Sequence, residues 1–258
     1  AQADTDQPGA RLLLNRFAAG GGALLDLEYL TDDNGRRLAA FGYWAGYVGA
    51  ALAVLQHAGA LQAPLQPGTR QQLDTQLATA AASVPGLRVL VLGSLGRSGS
   101  GARDALAAAG VAITGWDVAE TRTLDRPAML EHDIVVNTVL TTEPGRPYLS
   151  AADLIAADSA GRPYRLRVLA DVTCDVGSPY NLFPLYQDTT SWEQPVFAVP
   201  ATELAVIAID NLPSLLPLEA SITFSGDLRG QLSGLGAQPA WQRCLDLFHR
   251  HLSTPTGS

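Results

Sequence analysis

Short apolar segments alternate with helical segments between residues 88 and 209, and no other feature of this 258-residue sequence restricts the fold as strongly. Residues 88–92 read Arg-Val-Leu-Val-Leu, which is apolar on both faces, as strands inside a parallel sheet are. Strands are predicted at 88–92, 111–116, 133–137, 167–172, 196–199 and 205–209, with helices at 100–109 and 151–157. This order indicates an α/β fold with a Rossmann-like, doubly wound parallel sheet.

The flanking segments are predicted to be mainly helical. Helices are expected at 12–17, 38–55, 70–83, 219–228 and 241–252, a strand at 23–30 and a turn at 32–35. The uncharged segment 38–55 reaches the lower limit of length for a membrane span. Because Gly42, Gly46 and Gly49 interrupt it and alanine supplies much of the rest, we favour a buried helix that packs closely over a transmembrane one.

The composition argues against several classes of function. Hydrophobic residues make up 47% and charged residues 16%, which suits a globular chain with a substantial core. The formal net charge of −8 argues against nucleic acid as a partner. The basic residues are all arginine, so no lysine is present to act as a base or form a Schiff base.

Two cysteines do not make a disulfide framework, and we expect a reducing, cytoplasmic location. The chain begins with Ala1 and shows no signal peptide, which predicts a processed chain or a fragment.

A glycine-rich loop follows the strand at 88–92. It reads Gly93-Ser-Leu-Gly96-Arg-Ser-Gly99-Ser-Gly101 and precedes a predicted helix. Such a loop lets backbone N–H groups approach a pyrophosphate at the helix N-terminus. Asp117 ends the next strand about twenty residues after Gly96, where a carboxylate accepts hydrogen bonds from ribose hydroxyls and repels a 2′-phosphate. The pattern predicts binding of NAD rather than NADP, and the alternative is a purely structural glycine turn.

Other reactive residues do not form recognisable sites. His249 and His251 are two residues apart on a predicted helix, a spacing that directs their side chains apart. His57 and His132 are isolated, so we expect no metal site. No G-x-S-x-G sequence is present, which disfavours a hydrolase, and Cys174 has no identifiable base.

Several sequence blocks, taken in order, resemble one enzyme family. They are Asp26-Leu-Glu28-Tyr-Leu, Gly35-Arg-Arg37, Ala40-Phe-Gly-Tyr-Trp-Ala-Gly46, the loop from Gly93 to Gly101, Asp171-Val-Thr-Cys-Asp175, Ser178-Pro-Tyr-Asn181 and Ile209-Asp-Asn-Leu-Pro-Ser-Leu-Leu-Pro217. Together they run from about Gln7 to the last helix and resemble the NAD⁺-dependent, lysine-forming saccharopine dehydrogenases, which are related to alanine dehydrogenase and transhydrogenase.

The resemblance implies an oxidoreductase that acts on a secondary amine. NAD⁺ would take a hydride from saccharopine, and the resulting imine would be hydrolysed to L-lysine and 2-oxoglutarate, or the reverse reaction would run. The family has two Rossmann-like domains with a cleft between them. By position, 1–40 is predicted to be a remnant of the substrate domain and hinge, 41–212 the dinucleotide-binding domain, and 213–258 helices that return to the substrate domain.

The resemblance also assigns residues to the cofactor and the substrate. The implied NAD-binding residues are Gly93, Ser94, Gly96, Arg97, Ser98, Asp117, Asn137, Asp171, Asp210 and Leu212. The implied substrate-binding residues are Asp32, Arg36 and Arg37, since a guanidinium matches the geometry of a dicarboxylate substrate. For Arg37, an interdomain salt bridge is the alternative. The expected ligands are an amino acid and a 2-oxo acid.

The sequence departs from the family in its acid–base residues. The first segment of a full-length enzyme, with its paired Lys and His, has no counterpart here, and Glu28 is our best candidate for a general base, expected to be a buried carboxylate. Ser98 replaces a Cys of some relatives, and Asn211 replaces a His. Three hypotheses stay open: a dehydrogenase that works with an N-terminal companion segment, an NAD-binding homologue without catalysis, and an imine- or opine-type reductase with another substrate. A companion segment or a homo-oligomer would cover an incomplete domain.

Overall fold

The protein is described from a computed structural model over residues 9–141, 144–159, 161 and 164–253. Residues 1–4, on which the expectation of a processed chain or fragment rests, lie outside the described part. Contacts divide the chain into two compact units. We call Ala1–Ala40 with Ile222–Ser258 the terminal unit and Phe41–Ser221 the sheet unit. The assignment of 1–40, 41–212 and 213–258 to functional domains stays a prediction.

The described part of the sheet unit contains one six-stranded sheet. Its strands are β1 Val89–Leu92, β2 Ile113–Trp116, β3 Ile134–Asn137, β4 Val168–Asp171, β5 Phe197–Ala198 and β6 Ala205–Ile207. They lie in the order β2-β1-β3-β4-β6-β5, and every neighbouring pair is parallel except β5 with β6. The predicted α/β fold is therefore confirmed. The strand expected at 196–199 runs antiparallel, because the connection from β5 to β6 is too short for a parallel crossover.

Helices flank the sheet and form most of the terminal unit. In chain order they are α1 Ala10–Ala19, α2 Gly42–His57, α3 Arg70–Ser83, α4 Arg97–Ala108, α5 Val118–Thr121, α6 Arg126–Leu130, α7 Ala151–Ser159, α8 Pro217–Leu232 and α9 Pro239–Ser253. Single 3₁₀ turns occur at Leu27–Tyr29 and Leu212–Leu215. In the described residues, no helix is both long enough and apolar enough to cross a membrane.

The strands β1, β3 and β4 are buried on both faces, which explains their continuous apolar sequence, whereas β2 and β5 at the two edges of the sheet are partly exposed. In β1, Val89 and Val91 belong to the core that also contains residues of α2, α3 and α4. Leu90 and Leu92 belong to a second core, with Met129 of α6 and side chains of α7. Because successive strand residues point to opposite faces, β1, β3, β4 and β6 each supply both cores.

Helices α2 and α4 pack against each other through their backbones. A Cβ atom on Gly46 would overlap the carbonyl oxygen of Ser98, and one on Gly101 would overlap the carbonyl oxygen of Tyr43. Gly49 leaves room for the side chain of Val172, since a Cβ there would lie 2.8 Å from its Cγ2. The small residues of α2 therefore permit close packing inside the protein, as predicted.

The terminal unit has a much smaller core. In its described part, the buried residues of the apolar cluster are Leu30, Ala240, Trp241 and Cys244. Other links within this unit are polar: the Arg243 guanidinium donates to the carbonyl of Thr31, and the Trp241 indole donates to the carbonyl of Gln231 at 2.8 Å.

Two local predictions are wrong in instructive ways. The expected strand at 23–30 is instead irregular, with the 3₁₀ turn Leu27–Tyr29, because no described strand pairs with it. The helix expected at 100–109 begins earlier, at Arg97, although glycines inside it have low helix propensity. Its glycines are required by the contact with α2. The turn at 32–35 is present, with Gly35 at φ +76°.

Candidate functional site

Four parallel strands end level with one another at one edge of the sheet. Leu92 at the end of β1 pairs in register with Trp116 of β2 and Asn137 of β3, and Asn137 pairs with Asp171 of β4. The chain leaves β1 between β2 on one side and β3 on the other, where the strand order reverses. In open α/β sheets, ligands bind outside the carboxyl ends of the strands at this position.

The glycine-rich loop after β1 is held by backbone hydrogen bonds. The N–H groups of Gly93 and Ser94 donate to the carbonyl of Trp116 at 2.8 and 3.1 Å, and the N–H of Gly96 donates to the carbonyl of Gly93 at 3.0 Å. Gly93 has φ +73°, which favours glycine. A Cβ on Gly93 would lie 2.9 Å from Oγ1 of Thr138, whose hydroxyl donates to the carbonyl of Leu92 at 2.7 Å. Position 93 therefore has no space for a side chain, because the loop packs directly against Thr138, the residue that follows β3.

The loop leads directly into the N-terminus of α4. Gly96 is the N-cap residue and no side chain caps the helix. Gly99 brings the first turn against the loop, because a Cβ on it would overlap the carbonyl oxygen of Gly93. The first-turn N–H groups of Ser98 and Gly99 have no acceptor within a helix, and together with the helix dipole they suit an anion. These residues fit the pyrophosphate of a dinucleotide.

Asp117 connects the loop to the next helix. Its Oδ2 accepts from the N–H of Leu95 at 2.9 Å, and its Oδ1 accepts from the N–H of Val118 at 2.9 Å. Glu120 completes the capping box of α5 by accepting from the Asp117 N–H at 2.8 Å. The carboxylate therefore lies beside the loop, and each oxygen keeps a lone pair for a further donor such as a ribose hydroxyl.

A buried polar network follows β3 and β4. The Asn137 amide donates to Oδ1 of Asp171 at 2.9 Å and to the hydroxyl of Thr173 at 3.1 Å. The Thr173 hydroxyl donates to the same Oδ1 at 2.8 Å, and the Tyr186 hydroxyl donates to Asp171 Oδ2 at 2.7 Å. Asn137 and Asp171 are 1% and 2% exposed, so both side chains bond to protein rather than to solvent.

The Asp210–Leu212 segment and Cys174 lie among the loops of the sheet unit. Asp210 is exposed and Leu212 is buried, and a Cβ on Gly49 would lie 3.4 Å from the Leu212 Cδ1. Burial raises the pKa of the Cys174 thiol, and the carboxylates of Asp171, Asp210 and Asp175 raise it further. Cys174 is therefore a protonated, unreactive thiol at neutral pH.

The substrate candidates all belong to the terminal unit. Glu28 accepts from Arg37 in an ion pair at 3.4 Å, so Arg37 is paired inside this unit. The Glu28 side chain is 55% exposed, and our expectation of a buried carboxylate is wrong. Asp32 Oδ1 accepts from the N–H of Asn34 and of Arg36, both at 2.9 Å, and thereby shapes the turn. The substrate roles of Asp32, Arg36 and Arg37 stay predictions.

Histidines and cavities do not add to this site. The buried His132 lies 3.0 Å from the Ala128 carbonyl and 3.0 Å from the Thr114 hydroxyl, and so joins α6 to β2. Within the described ranges, no group of His, Cys, Asp or Glu is arranged to hold a metal ion. A cavity of about 660 Å³ between α2 and α3 has no lining residue in the glycine-rich loop.

Three site residues escaped sequence analysis. Thr138 carries a weak signal, since it directly follows a strand that ends at the site. Thr173 lies inside the Asp171–Asp175 block but was not singled out. Tyr186 has no signal, because its contact with Asp171 depends on the path of the intervening loop.

Comparison with known proteins gives a consistent family. No protein-family model matches the chain. A saccharopine dehydrogenase [NAD(+), L-lysine-forming] of Candida glabrata is 38% identical over 95% of this chain and 71% of its own length. The enzyme of the same name from Yarrowia lipolytica is 37% identical over 96% of this chain and 72% of its own length.

A solved structure supports the fold. Transhydrogenase from Sinorhizobium meliloti matches with a TM-score of 0.56 at 15% sequence identity, covering 91% of this chain and 69% of that chain. At this identity the likeness concerns the fold alone, and it agrees with the Rossmann-like sheet. The identity to the fungal enzymes and the share of their length that is matched show that this chain belongs to the NAD⁺-dependent, L-lysine-forming saccharopine dehydrogenase family.

Proposed function

We propose that the protein takes part in the NAD⁺-dependent cleavage of saccharopine to L-lysine and 2-oxoglutarate, or in the reverse reductive condensation. The observation that carries this proposal is the uncapped, glycine-lined N-terminus of α4 beside Asp117, within a chain of this family. Bound NAD⁺ would accept a hydride from the carbon attached to the secondary amine of saccharopine. Water would then hydrolyse the imine, which releases the two products.

We propose that different residues of the sheet unit bind different parts of the cofactor. The loop residues Gly93, Ser94, Gly96, Arg97 and Ser98 would hold the pyrophosphate, with the N–H groups of the first turn of α4 as donors. Asp117 would accept from the adenosine ribose and disfavour a 2′-phosphate, so we propose NAD as the cofactor. Arg97 would add positive charge beside the phosphates.

The nicotinamide half would meet the loops that follow β3, β4 and β6. Asn137 and Asp171 end two of these strands, and Asp210 with Leu212 follows the third. The Asn137 amide is already hydrogen-bonded to the Asp171 carboxylate. We therefore propose that these two side chains hold the loops in place rather than bind the nicotinamide directly.

The acid–base step is the least complete part of the site. The sequence contains no lysine, and Glu28 is more than half exposed and paired with Arg37. We retain Glu28 as the candidate base within this chain. Because Arg37 already engages this carboxylate, we propose that efficient catalysis also uses an acid–base group from a companion segment.

A second candidate function is that of an NAD-binding subunit that needs a companion segment. The terminal unit favours this reading, since Leu12, Leu13 and Phe17 of α1 are 58%, 48% and 38% exposed and no residue of α1 is buried. Apolar side chains grouped on one helix mark a surface that another chain segment covers. We propose an N-terminal companion segment as the partner, with a homo-oligomer as the alternative, in the reducing cytoplasm.

A titration with NADH and an assay with NAD⁺ and saccharopine test both candidates. We expect NADH to bind at least tenfold more tightly than NADPH. Gly99→Ala should abolish binding, because its Cβ would displace the loop, whereas Gly226→Ala on α8 has no atom within 4 Å of the new Cβ and should bind normally.

The outcomes separate the hypotheses. Binding with turnover supports the dehydrogenase and makes Glu28→Gln the next variant. Binding without turnover supports the subunit if adding the N-terminal segment of a relative restores activity. Turnover only with other imines supports a reductase that acts on a different substrate. Wild-type protein that binds neither cofactor would contradict all three.

A further inference from the structure

Thr138 follows β3 at the point where the glycine-rich loop leaves β1. Leu92 and Asn137, the last residues of the two strands, are paired in register. The residues that come next, Gly93 and Thr138, are therefore neighbours. The Thr138 N–H donates to the carbonyl of Leu92 at 3.0 Å, which extends the ladder between β1 and β3 by one residue. The first residue of the loop is thus held directly beside Thr138.

The Thr138 hydroxyl binds two backbone carbonyls at this junction. It donates to the carbonyl of Leu92 at 2.7 Å and to that of Gly93 at 3.2 Å. A hydroxyl has one proton, so the two carbonyl oxygens share it. Because the side chain is β-branched, its χ1 angle is restricted. The hydroxyl is therefore a fixed donor that joins the end of β1 to the first residue of the loop.

The Gly93 carbonyl oxygen connects Thr138 to the start of α4. It also accepts from the N–H of Gly96, the N-cap residue, at 3.0 Å. Gly99 in the first turn lies so close that a Cβ on it would overlap this oxygen. Two donors and one close contact therefore keep the oxygen directed into the loop. A carbonyl oxygen that faced an anion at the helix N-terminus would repel it, because both carry negative charge.

We propose that Thr138 is a positioning residue for the cofactor: its hydroxyl fixes the loop in the orientation that leaves the N-terminus of α4 open to the pyrophosphate. The inference rests on the proposed cofactor site and assigns to it a residue that acts through the loop. Loss of one hydrogen bond changes an equilibrium constant by about 3- to 10-fold. Binding of the adenosine half should change less, because Asp117 is also held by the N–H of Val118 and the capping box of α5.

Thr138→Ser and Thr138→Ala form a matched pair, because they differ only by the hydroxyl oxygen. Both lose the methyl group of threonine, so a role in packing affects them alike. Only the serine variant can still donate to the two carbonyls. Thr202→Ala is the distant control, since the Thr202 hydroxyl donates to the carbonyl of Val199 at 2.9 Å. Thr202 precedes β6 at the amino ends of the parallel strands, which is the opposite edge of the sheet.

The experiment measures NADH binding by fluorescence titration, and binding of adenosine, which has no phosphate, by displacement of NADH. We expect Thr138→Ala to raise the Kd of NADH about 3- to 10-fold and the Kd of adenosine less than about twofold. Thr138→Ser and Thr202→Ala should bind both ligands within about twofold of the wild type, even where Thr138→Ser lowers thermal stability as much as Thr138→Ala. Should Thr138→Ala fail to fold, Thr138→Cys, whose thiol is a weak donor, should raise the Kd of NADH at least about threefold.

Three results would overturn the inference: unchanged NADH binding in Thr138→Ala, equal weakening in Thr138→Ser, or equal weakening of NADH and adenosine binding in Thr138→Ala. The second result would assign the effect to the methyl group, and the third to a general distortion of the site. A wild-type protein that does not bind NADH would instead contradict the proposed cofactor site itself, so the two failures are distinguishable.

Discussion

The sheet unit and the terminal unit are built in different ways. The sheet unit buries its central strands between two apolar cores, and its helices α2 and α4 meet through glycine backbones. In its described residues, the terminal unit joins the two parts of the chain around one apolar cluster with four buried members and a few polar links. The sheet unit therefore buries most of the apolar surface that its sequence provides, whereas apolar side chains of α1 in the terminal unit stay exposed.

The largest expected effect is at the contact of α2 with α4. Gly101→Ala places a methyl group on the backbone carbonyl of Tyr43, which no rotamer change relieves. We expect the sheet unit to lose more than about 4 kcal/mol of unfolding free energy or fail to fold. Urea denaturation measures the change. Gly226→Ala, in open surroundings, should stabilise the protein by about 0.5–1 kcal/mol, and equal losses in both variants would contradict this packing.

Two leucines of equal burial should respond differently. Leu90 in β1 and Leu30 in the terminal unit are both 0% exposed. Leu90→Ala should lower the unfolding free energy of the sheet by about 2–4 kcal/mol. Leu30→Ala should accelerate amide exchange in α9 and leave β1 unchanged, because the small core opens on its own. Hydrogen exchange measures both elements. Equal acceleration of amide exchange in α9 and β1 would show that the two units unfold together.

Two glycines of the sheet unit share a backbone conformation but differ in their surroundings. Gly93 and Gly110 have similar φ angles of +73° and +70°, so alanine costs about 1–2 kcal/mol at either position. Only at Gly93 does the Cβ also meet Thr138. We expect Gly93→Ala to weaken NADH binding at least tenfold and Gly110→Ala to leave it unaffected, as measured by fluorescence titration. Equal binding by both variants would count against the loop as the phosphate site.

The smallest effect concerns acid stability. Burial opposes ionisation of Asp133, but hydrogen bonds from the Arg165 side chain and the Arg88 N–H outweigh it and lower the pKa of Asp133. Because the folded pKa lies below the unfolded value, this contribution is present above about pH 4 and is lost as the pH falls through the folded pKa.

Thermal unfolding from pH 7 to pH 2 tests this sign. Asp133→Asn should lose stability mainly above pH 4 and show a smaller acid-induced decrease than the wild type. The effect is modest, since the Arg165 side chain is 52% exposed and solvent weakens the pair. Glu131→Gln, which breaks a more exposed pair with Arg88, is the control and should change little. A steeper loss of stability at low pH in Asp133→Asn than in the wild type would contradict a lowered pKa of Asp133.

Sequence reasoning succeeded where burial alone determines the pattern. The strand at 88–92 differs from β1 by one residue, because apolar residues on both faces leave few alternatives. It failed at 23–30, where apolar residues alternate with Asp26 and Glu28 as in a strand, but the segment has no strand partner in the described chain. It also misjudged Glu28, since nothing in the local sequence reveals that its side chain lies more than half in solvent.

The site shows the same division. The glycine spacing and Asp117 were visible because they are local to β1 and β2, whereas the Tyr186–Asp171 bond joins residues across an irregular loop. The start of α4 was missed because helix propensity penalises Gly99 and Gly101, although tertiary contacts demand them.

The contact of Gly46 and Gly101 with carbonyl oxygens has a consequence for how the sequence can vary. A carbonyl oxygen is the same in every amino acid, so this contact does not itself restrict which side chain stands at position 43 or 98. Mutational tolerance should therefore be uneven: saturation mutagenesis scored on folding should admit more residues at 43 and 98 than at 46 and 101. The close crossing of α2 and α4 thus depends on the absence of a Cβ atom at Gly46 and Gly101.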